Sequence, residues 1–203
     1  MRFVALVLAP LLLTVAGGAA AWAEETLPTV TLDEEKPVVA EPTRAERIDA
    51  LFETLRTTED ETEAKQAERT IQSLWLDSGS DTVDLMMDWA LSAMQEKRYS
   101  RALDFLDRVI VMRPDYVEGW NKRATVYFLL DDYGQSISDI GRVLELEPRH
   151  FGALSGFGMV LQAIGDDDRA IAAYRSALAV DPHLDTVRDA LDALEAKNIG
   201  QAL

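Results

Sequence analysis

Three prolines, Pro114, Pro148 and Pro182, stand 34 residues apart, and each closes a stretch with the same apolar cadence: Ile110 to Met112, Leu144 to Leu146, Leu178 to Val180. Proline lacks an amide hydrogen and its ring collides with the preceding helical turn, so it ends a helix. A stop of this kind at a fixed interval means that one supersecondary unit is used several times. Aligned on the prolines, the units are 83–116, 117–150 and 151–184.

Equivalent places in the three units carry similar residues. The fourth holds Met86, Trp120 and Leu154; the eighth Ala90, Ala124 and Gly158; the eleventh Ala93, Tyr127 and Leu161. The twentieth holds Ala102, Ser136 and Ala170; the twenty-fourth Leu106, Ile140 and Tyr174; the twenty-seventh Val109, Val143 and Ala177. Places four, seven, eight and eleven share one face of a first helix at the 3.6-residue period, and places 20, 24, 27 and 28 share one face of a second. Small residues at eight and twenty let the two helices approach, and larger ones fill the space around them. The expected interior is Trp89, Ala90, Ala102, Leu106, Trp120, Ala124, Tyr127, Ile140, Val143, Phe157, Gly158, Ala170, Tyr174 and Ala177. A lone helix pair cannot bury its face, so the units must stack into a solenoid. Asp115, with Glu118 three residues on, is the expected cap of the next helix.

These small, large and proline places resemble the tetratricopeptide repeat family over residues 83–182, best in Gly165-Asp166 through Tyr174 to Asp181-Pro182. Arg123 departs from the usual apolar residue at place seven, and Met86 from the common aromatic at place four. The stretches Trp120 to Thr125 and Glu147 to Gly156 are similar to one subgroup of bacterial repeat proteins, many alphaproteobacterial, with no defined activity. The resemblance implies an all-α, right-handed superhelical solenoid of antiparallel helix pairs.

Less regular helices flank the array. Residues 43–82 read as a degenerate helix pair that caps its start, with Ile48, Leu51, Phe52 and Leu55 on one face and Ala67, Ile71, Leu74 and Trp75 on another. Residues 185–203 read as a capping helix and tail, carrying Val187, Leu191 and Leu194, with Gly200 as a stop. Upstream, Arg2 precedes the apolar run Phe3 to Leu13 and small residues that end in Ala21-Trp22-Ala23. That is the layout of a secretory signal, residues 1–23, cleaved after Ala23. An uncleaved anchor is the alternative, since residues 3–22 carry no charge. Residues 24–42, with Pro28, Pro37 and Pro42 and the acidic Asp33-Glu34-Glu35, read as a disordered linker. Export would place the mature chain in the periplasm if the source is Gram-negative.

Composition narrows the partners. The 203 residues carry 36 acidic and 20 basic side chains, a net charge of −16, which disfavours nucleic acid and anionic membranes. There is no cysteine, hence no disulfide and no thiolate site. No phosphate loop or hydrolase signature occurs, and His150 and His183 fall in different units. Asp166-Asp167-Asp168 lacks the spacing of a calcium loop and suits the positive end of the following helix. The expectation is a non-catalytic scaffold without a cofactor, binding a protein or peptide; an accessory subunit of an envelope enzyme complex, or an enzyme with an unrecognised site, are the alternatives.

The resemblance implies binding on the concave surface, at places two, five, nine and twelve. Met87, Leu91 and Met94 are one candidate patch, either an open groove or a surface covered by the N-terminal helix pair. Phe128 and Met159 fall at concave places too. Asn121, Thr125, Arg149, His150 and Ser155 form the second candidate, a set of amide, hydroxyl and cationic donors suited to a carboxylate or backbone carbonyl. Lys122 and Arg149 could instead pair with carboxylates such as Glu145 and Glu147.

Overall fold

The computed structural model describes residues 41–201, with side chains through 198. The expected signal and most of the linker lie outside the described residues. The described chain is all helix: α1 Arg44–Thr57, α2 Glu61–Leu76, α3 Asp81–Gln95, α4 Tyr99–Met112, α5 Val117–Leu129, α6 Tyr133–Leu146, α7 Phe151–Ala163, α8 Asp167–Val180 and α9 Asp185–Gln201. None of these helices is long and apolar enough to cross a membrane. Helix α9 runs past Gly200, so that glycine does not stop it.

The prolines act as expected. Arg113, Glu147 and Asp181, each preceding a proline, leave the helical region with φ of −138°, −139° and −134°, the shift that a proline ring forces on its predecessor. Within each pair the turn is equally regular. Lys97, Asp131 and Gly165, again 34 apart, have φ of 57°, 57° and 82°. The amides of Arg98, Asp132 and Asp166 donate back to the carbonyls of Ala93, Tyr127 and Leu161 at 2.8, 2.9 and 2.9 Å, which satisfies the last carbonyls of the first helix. Only the third turn uses glycine, so the left-handed residue was hard to see at the other two.

Pairs α3/α4, α5/α6 and α7/α8 stack into a solenoid. Ala90, Ala102, Leu106, Ala124, Ile140, Val143, Ala170, Tyr174 and Ala177 are buried, as expected. Gly158 is buried too, and a Cβ there would fall 2.3 Å from the Tyr174 ring, so the approach of α7 and α8 depends on its absence. Trp120, Tyr127 and Phe157 are only partly buried. Trp89 contradicts the expected interior: it is 47% exposed, because place seven faces the preceding pair and among the described residues α3 has none behind it. Helix α9 closes the far end, with Val187, Leu191 and Leu194 packed beside Ala173 and Tyr174.

The N-terminal pair exists, but it does not stack in front of α3. Its apolar faces (Ile48, Phe52, Leu55, Ala64, Ala67, Ile71 and Trp75) cluster with Phe151, Val180 and Leu184. Helices α1 and α2 therefore lie along the turns that join one pair to the next. The Tyr116 hydroxyl donates to the Leu76 carbonyl at 2.7 Å. The Trp75 ring stacks on His150 with centroids 4.2 Å apart and planes 10° apart. His183 Nε2 meets the Leu55 carbonyl at 3.1 Å. Tyr116 and His150 are repeat-equivalent and His183 lies next to the third member of the set, so one hairpin bridges three successive junctions.

A candidate groove between helices α5 and α7

Glu118 and His150 meet where α5, α7 and the hairpin converge, and both are buried. His150 caps α7: its Nδ1 accepts from the Ala153 amide at 3.1 Å. Nδ1 must then be unprotonated, so Nε2 carries the hydrogen and donates it to Glu118 Oε1 at 3.0 Å. Lys122 Nζ lies 3.1 Å from Glu118 Oε2, and the Asn121 amide donates to the same oxygen at 3.0 Å. Burial pushes the Glu118 carboxyl up, but the His150 hydrogen bond, the Lys122 charge and the Asn121 amide outweigh it and hold the group at about 2. The expected cap at Asp115 is absent: Tyr116 is the N-cap of α5, with no side-chain bond. Glu118 turns inward to His150 instead.

Arg149 is spent on the same junction. Its guanidinium contacts Asp49 at 2.7 Å and Glu147 at 3.1 Å and lies over the Phe52 ring at 4.4 Å. Arg149 and His150 thus seat the hairpin, His150 buried and Arg149 partly exposed. Lys122 pairs with Glu118, not with Glu145 or Glu147. Arg123 at its unusual place bridges Asp139 at 2.7 Å and Asp107 at 2.8 Å, joining successive pairs.

One turn further along, the surface opens. Asn121, Ala124, Thr125 and Phe128 of α5 face Gly152, Ala153, Ser155, Gly156, Met159 and Val160 of α7 across a concave groove of about 190 Å³, floored by Ser136 and Ile140 of α6. Asn121, Thr125, Ser155, Phe128 and Met159 are therefore brought together as expected. None of the twelve lining residues is titratable. Gly152 and Gly156 keep the α7 wall low; Gly152 stands at the concave second place of its unit, whereas Gly156 stands at none of the four concave places.

The polar atoms here have a direction. The Asn121 amide nitrogen is engaged by Glu118. The Thr125 hydroxyl donates to the Asn121 carbonyl at 2.9 Å, and the Ser155 hydroxyl to the Phe151 carbonyl at 2.7 Å. What these bonds leave is the acceptor capacity of Asn121 Oδ1, Thr125 Oγ1 and Ser155 Oγ, together with one N–H of the Asn121 amide. Within the groove the expected donor set is reduced to that one N–H. The cations of that set lie at the hairpin, and both hydroxyls donate within the protein.

The other expected patch splits. Met87 is 2% exposed and sits in the α3/α4 core with Val83, Ala90 and Leu106, with Leu91 and Met94 packed against it. The chain's own repeat covers Met87, not the N-terminal pair. Among the described residues no group of three or more potential ligands could hold a metal ion. Asp166 caps α8, accepting from the Arg169 amide at 3.3 Å, the role expected of the acidic run.

A tetratricopeptide repeat model matches residues 117–150 and 152–184. A TPR repeat-containing protein of Rhizobium etli is 42% identical over 171 residues, spanning 82% of this chain and 84% of the relative. Among solved structures, the Sgt2 TPR domain from Aspergillus fumigatus aligns with a TM-score of 0.57 at 21% identity, over 61% of this chain and 82% of that one. The first TPR domain of Spaghetti (RPAP3), bound to the HSP90 peptide SRMEEVD, aligns with a TM-score of 0.56 at 18% identity, over 58% and 93% of the two chains.

Proposed function

The chain belongs to the tetratricopeptide repeat family, and from that premise we propose that it is a non-catalytic binding scaffold whose α5/α7 groove takes an extended peptide segment bearing a bulky apolar side chain. One observation carries this reading: the groove sets apolar side chains beside three acceptors with capacity to spare, Asn121 Oδ1, Thr125 Oγ1 and Ser155 Oγ, and contains no charge. Backbone N–H groups of an extended segment are the matching donors, and an apolar side chain between Phe128 and Met159 supplies the buried area. The peptide on the Spaghetti domain is acidic; a groove without cations favours a different class. No lining side chain can move a proton, and Thr125 and Ser155 lack the base that would activate a hydroxyl.

Random peptides selected on the immobilised protein should be enriched in large apolar residues, without acidic C-termini. Selection of acidic tails would contradict the assignment. The same proposal places the chain outside the cytoplasm, on the strength of Ala21-Trp22-Ala23. Intact mass should show Glu24 as the first residue of the mature chain; recovery of residues 1–203 in washed membranes would support an anchor instead.

A further inference from the structure

The internal pairs show what the first helix of a pair packs against. At place three, Gly119 of α5 is pressed to α4, where an added Cβ would lie 2.9 Å from Val109 and 3.3 Å from Ile110. At place seven, Arg123 reaches Asp107 of α4. In the third pair Ala153 is buried, and Phe157 packs on the cluster holding Ile140 and Val143. The same places in the first pair are Leu85 and Trp89, and among the described residues no second helix packs against them, because α1 and α2 lie along the turns. Leu85 is 48% exposed. Phe105 tilts against Trp89 with centroids 5.5 Å apart. Trp89, Ser92, Ala93, Arg98, Arg101 and Phe105 line a cavity of about 360 Å³. The opposite end of the solenoid is closed by α9.

We infer that this bare end is a self-association surface, on which a second copy of the chain docks through Leu85, Trp89 and Phe105 about a two-fold axis. The uncovered places are those that α4 and α6 fill for the next pair, so the complement is an apolar helical face, and the α3/α4 end itself presents one. Head-to-tail stacking needs a bare face at both ends, and α9 removes one of them; the isologous contact is the closed arrangement left. The patch is also locally balanced. Asp88, next to Trp89 on α3, is exposed, and Arg101 of α4 lies over the Phe105 ring at 5.7 Å. A two-fold contact can set each charge against its opposite, in a chain whose overall −16 would otherwise drive copies apart. Three apolar side chains put the contact at the small end of interface sizes, so the dimer is reversible. Each dimer carries two α5/α7 grooves, which a partner with repeated segments would engage with avidity.

The chain has no cysteine, so a single introduced one reports without ambiguity. Ser92→Cys on the bare end should cross-link to its own copy under mild oxidation, and Asp192→Cys on α9 should not. Sedimentation equilibrium of the chain as recovered from its host should show mass rising toward two copies with concentration. Trp89→Glu should weaken that association about tenfold or more without lowering Tm, since the ring is already half exposed. Three results would each overturn the inference: a single-chain mass at every concentration without a Ser92→Cys cross-link; equal cross-linking through Asp192→Cys; or a single-chain species in which Ser92→Cys is shielded from maleimide, which would assign the bare end to the chain's own N-terminal segment.

Discussion

Helix α5 carries two neighbouring surfaces of opposite character. At its first turn Glu118 is buried with His150 and the stacked Trp75 and paired with the partly buried Lys122, every charge answered within the protein. One turn on, Asn121, Thr125 and Phe128 face an uncharged groove with acceptors to spare. Asn121 belongs to both, since its nitrogen serves Glu118 and its oxygen is left for the groove. The contrast separates structure from recognition. Charged residues near a concave face draw attention as a binding site, yet here they hold a hairpin to the array, and the groove beside them is lined by uncharged residues.

The largest expected effect comes from breaking the first surface. Glu118→Gln leaves Lys122 and the junction without their buried carboxylate and should cost about 3 kcal/mol at neutral pH, read by urea denaturation. The pH dependence has a definite sign. The Glu118 carboxyl sits at about 2 in the folded chain against an ordinary 4.5, so it contributes stability that is fully present above 4.5 and is lost as pH falls toward 2. The parent should lose stability through that window, and Glu118→Gln should lose less. Hydrogen exchange should also show α1 and α2 opening ahead of α7 and α8 in this variant.

A smaller effect tests the second surface. Replacing Asn121 and Ser155 together by Ala should weaken a selected peptide by roughly 1–2 kcal/mol, measured by calorimetry, while the unfolding midpoint shifts little. Arg149→Ala should do the reverse, loosening the hairpin and leaving groove affinity near the parent value.

The smallest effect sharpens the contrast within the junction itself. Asp181 is fully buried; its Oδ1 accepts from the His183 amide at 3.0 Å, but its Oδ2 has no partner. Burial pushes its carboxyl up, so the folded state favours the protonated form and loses stability as pH rises through the raised value. Asp181→Asn should therefore raise stability at neutral pH by about 1 kcal/mol, seen as a higher Tm.

The solenoid was legible because its signals are local and repeated: three prolines, and small residues at places eight and twenty that packing requires. The hairpin's seat was not. Its helices show an ordinary amphipathic period, and nothing in that period says whether the face meets α3 or the turns at Tyr116, His150 and Leu184. A faint clue lay in those turns, where an aromatic, a histidine and a leucine occupy equivalent places that solvent would not demand. The groove was half legible. Asn121, Thr125, Ser155, Phe128 and Met159 follow from the concave places, but which atoms of a hydroxyl or amide remain unengaged depends on contacts within α5 and α7. Trp89 was misread because periodicity describes a helix face and cannot tell whether a preceding helix covers it.

Gly156 offers the most direct test of the claim that recognition lives in the α5/α7 groove. It lines the groove, and a Cβ there meets nothing within 4 Å, so Gly156→Leu fills the space without straining the fold and removes a mid-helix glycine that costs about 1 kcal/mol. Calorimetric titration of this variant with a peptide selected on the parent should show binding weakened about tenfold or more, alongside a Tm equal to or above the parent. Unchanged affinity with the fold intact would contradict the account and move the binding surface elsewhere on the molecule.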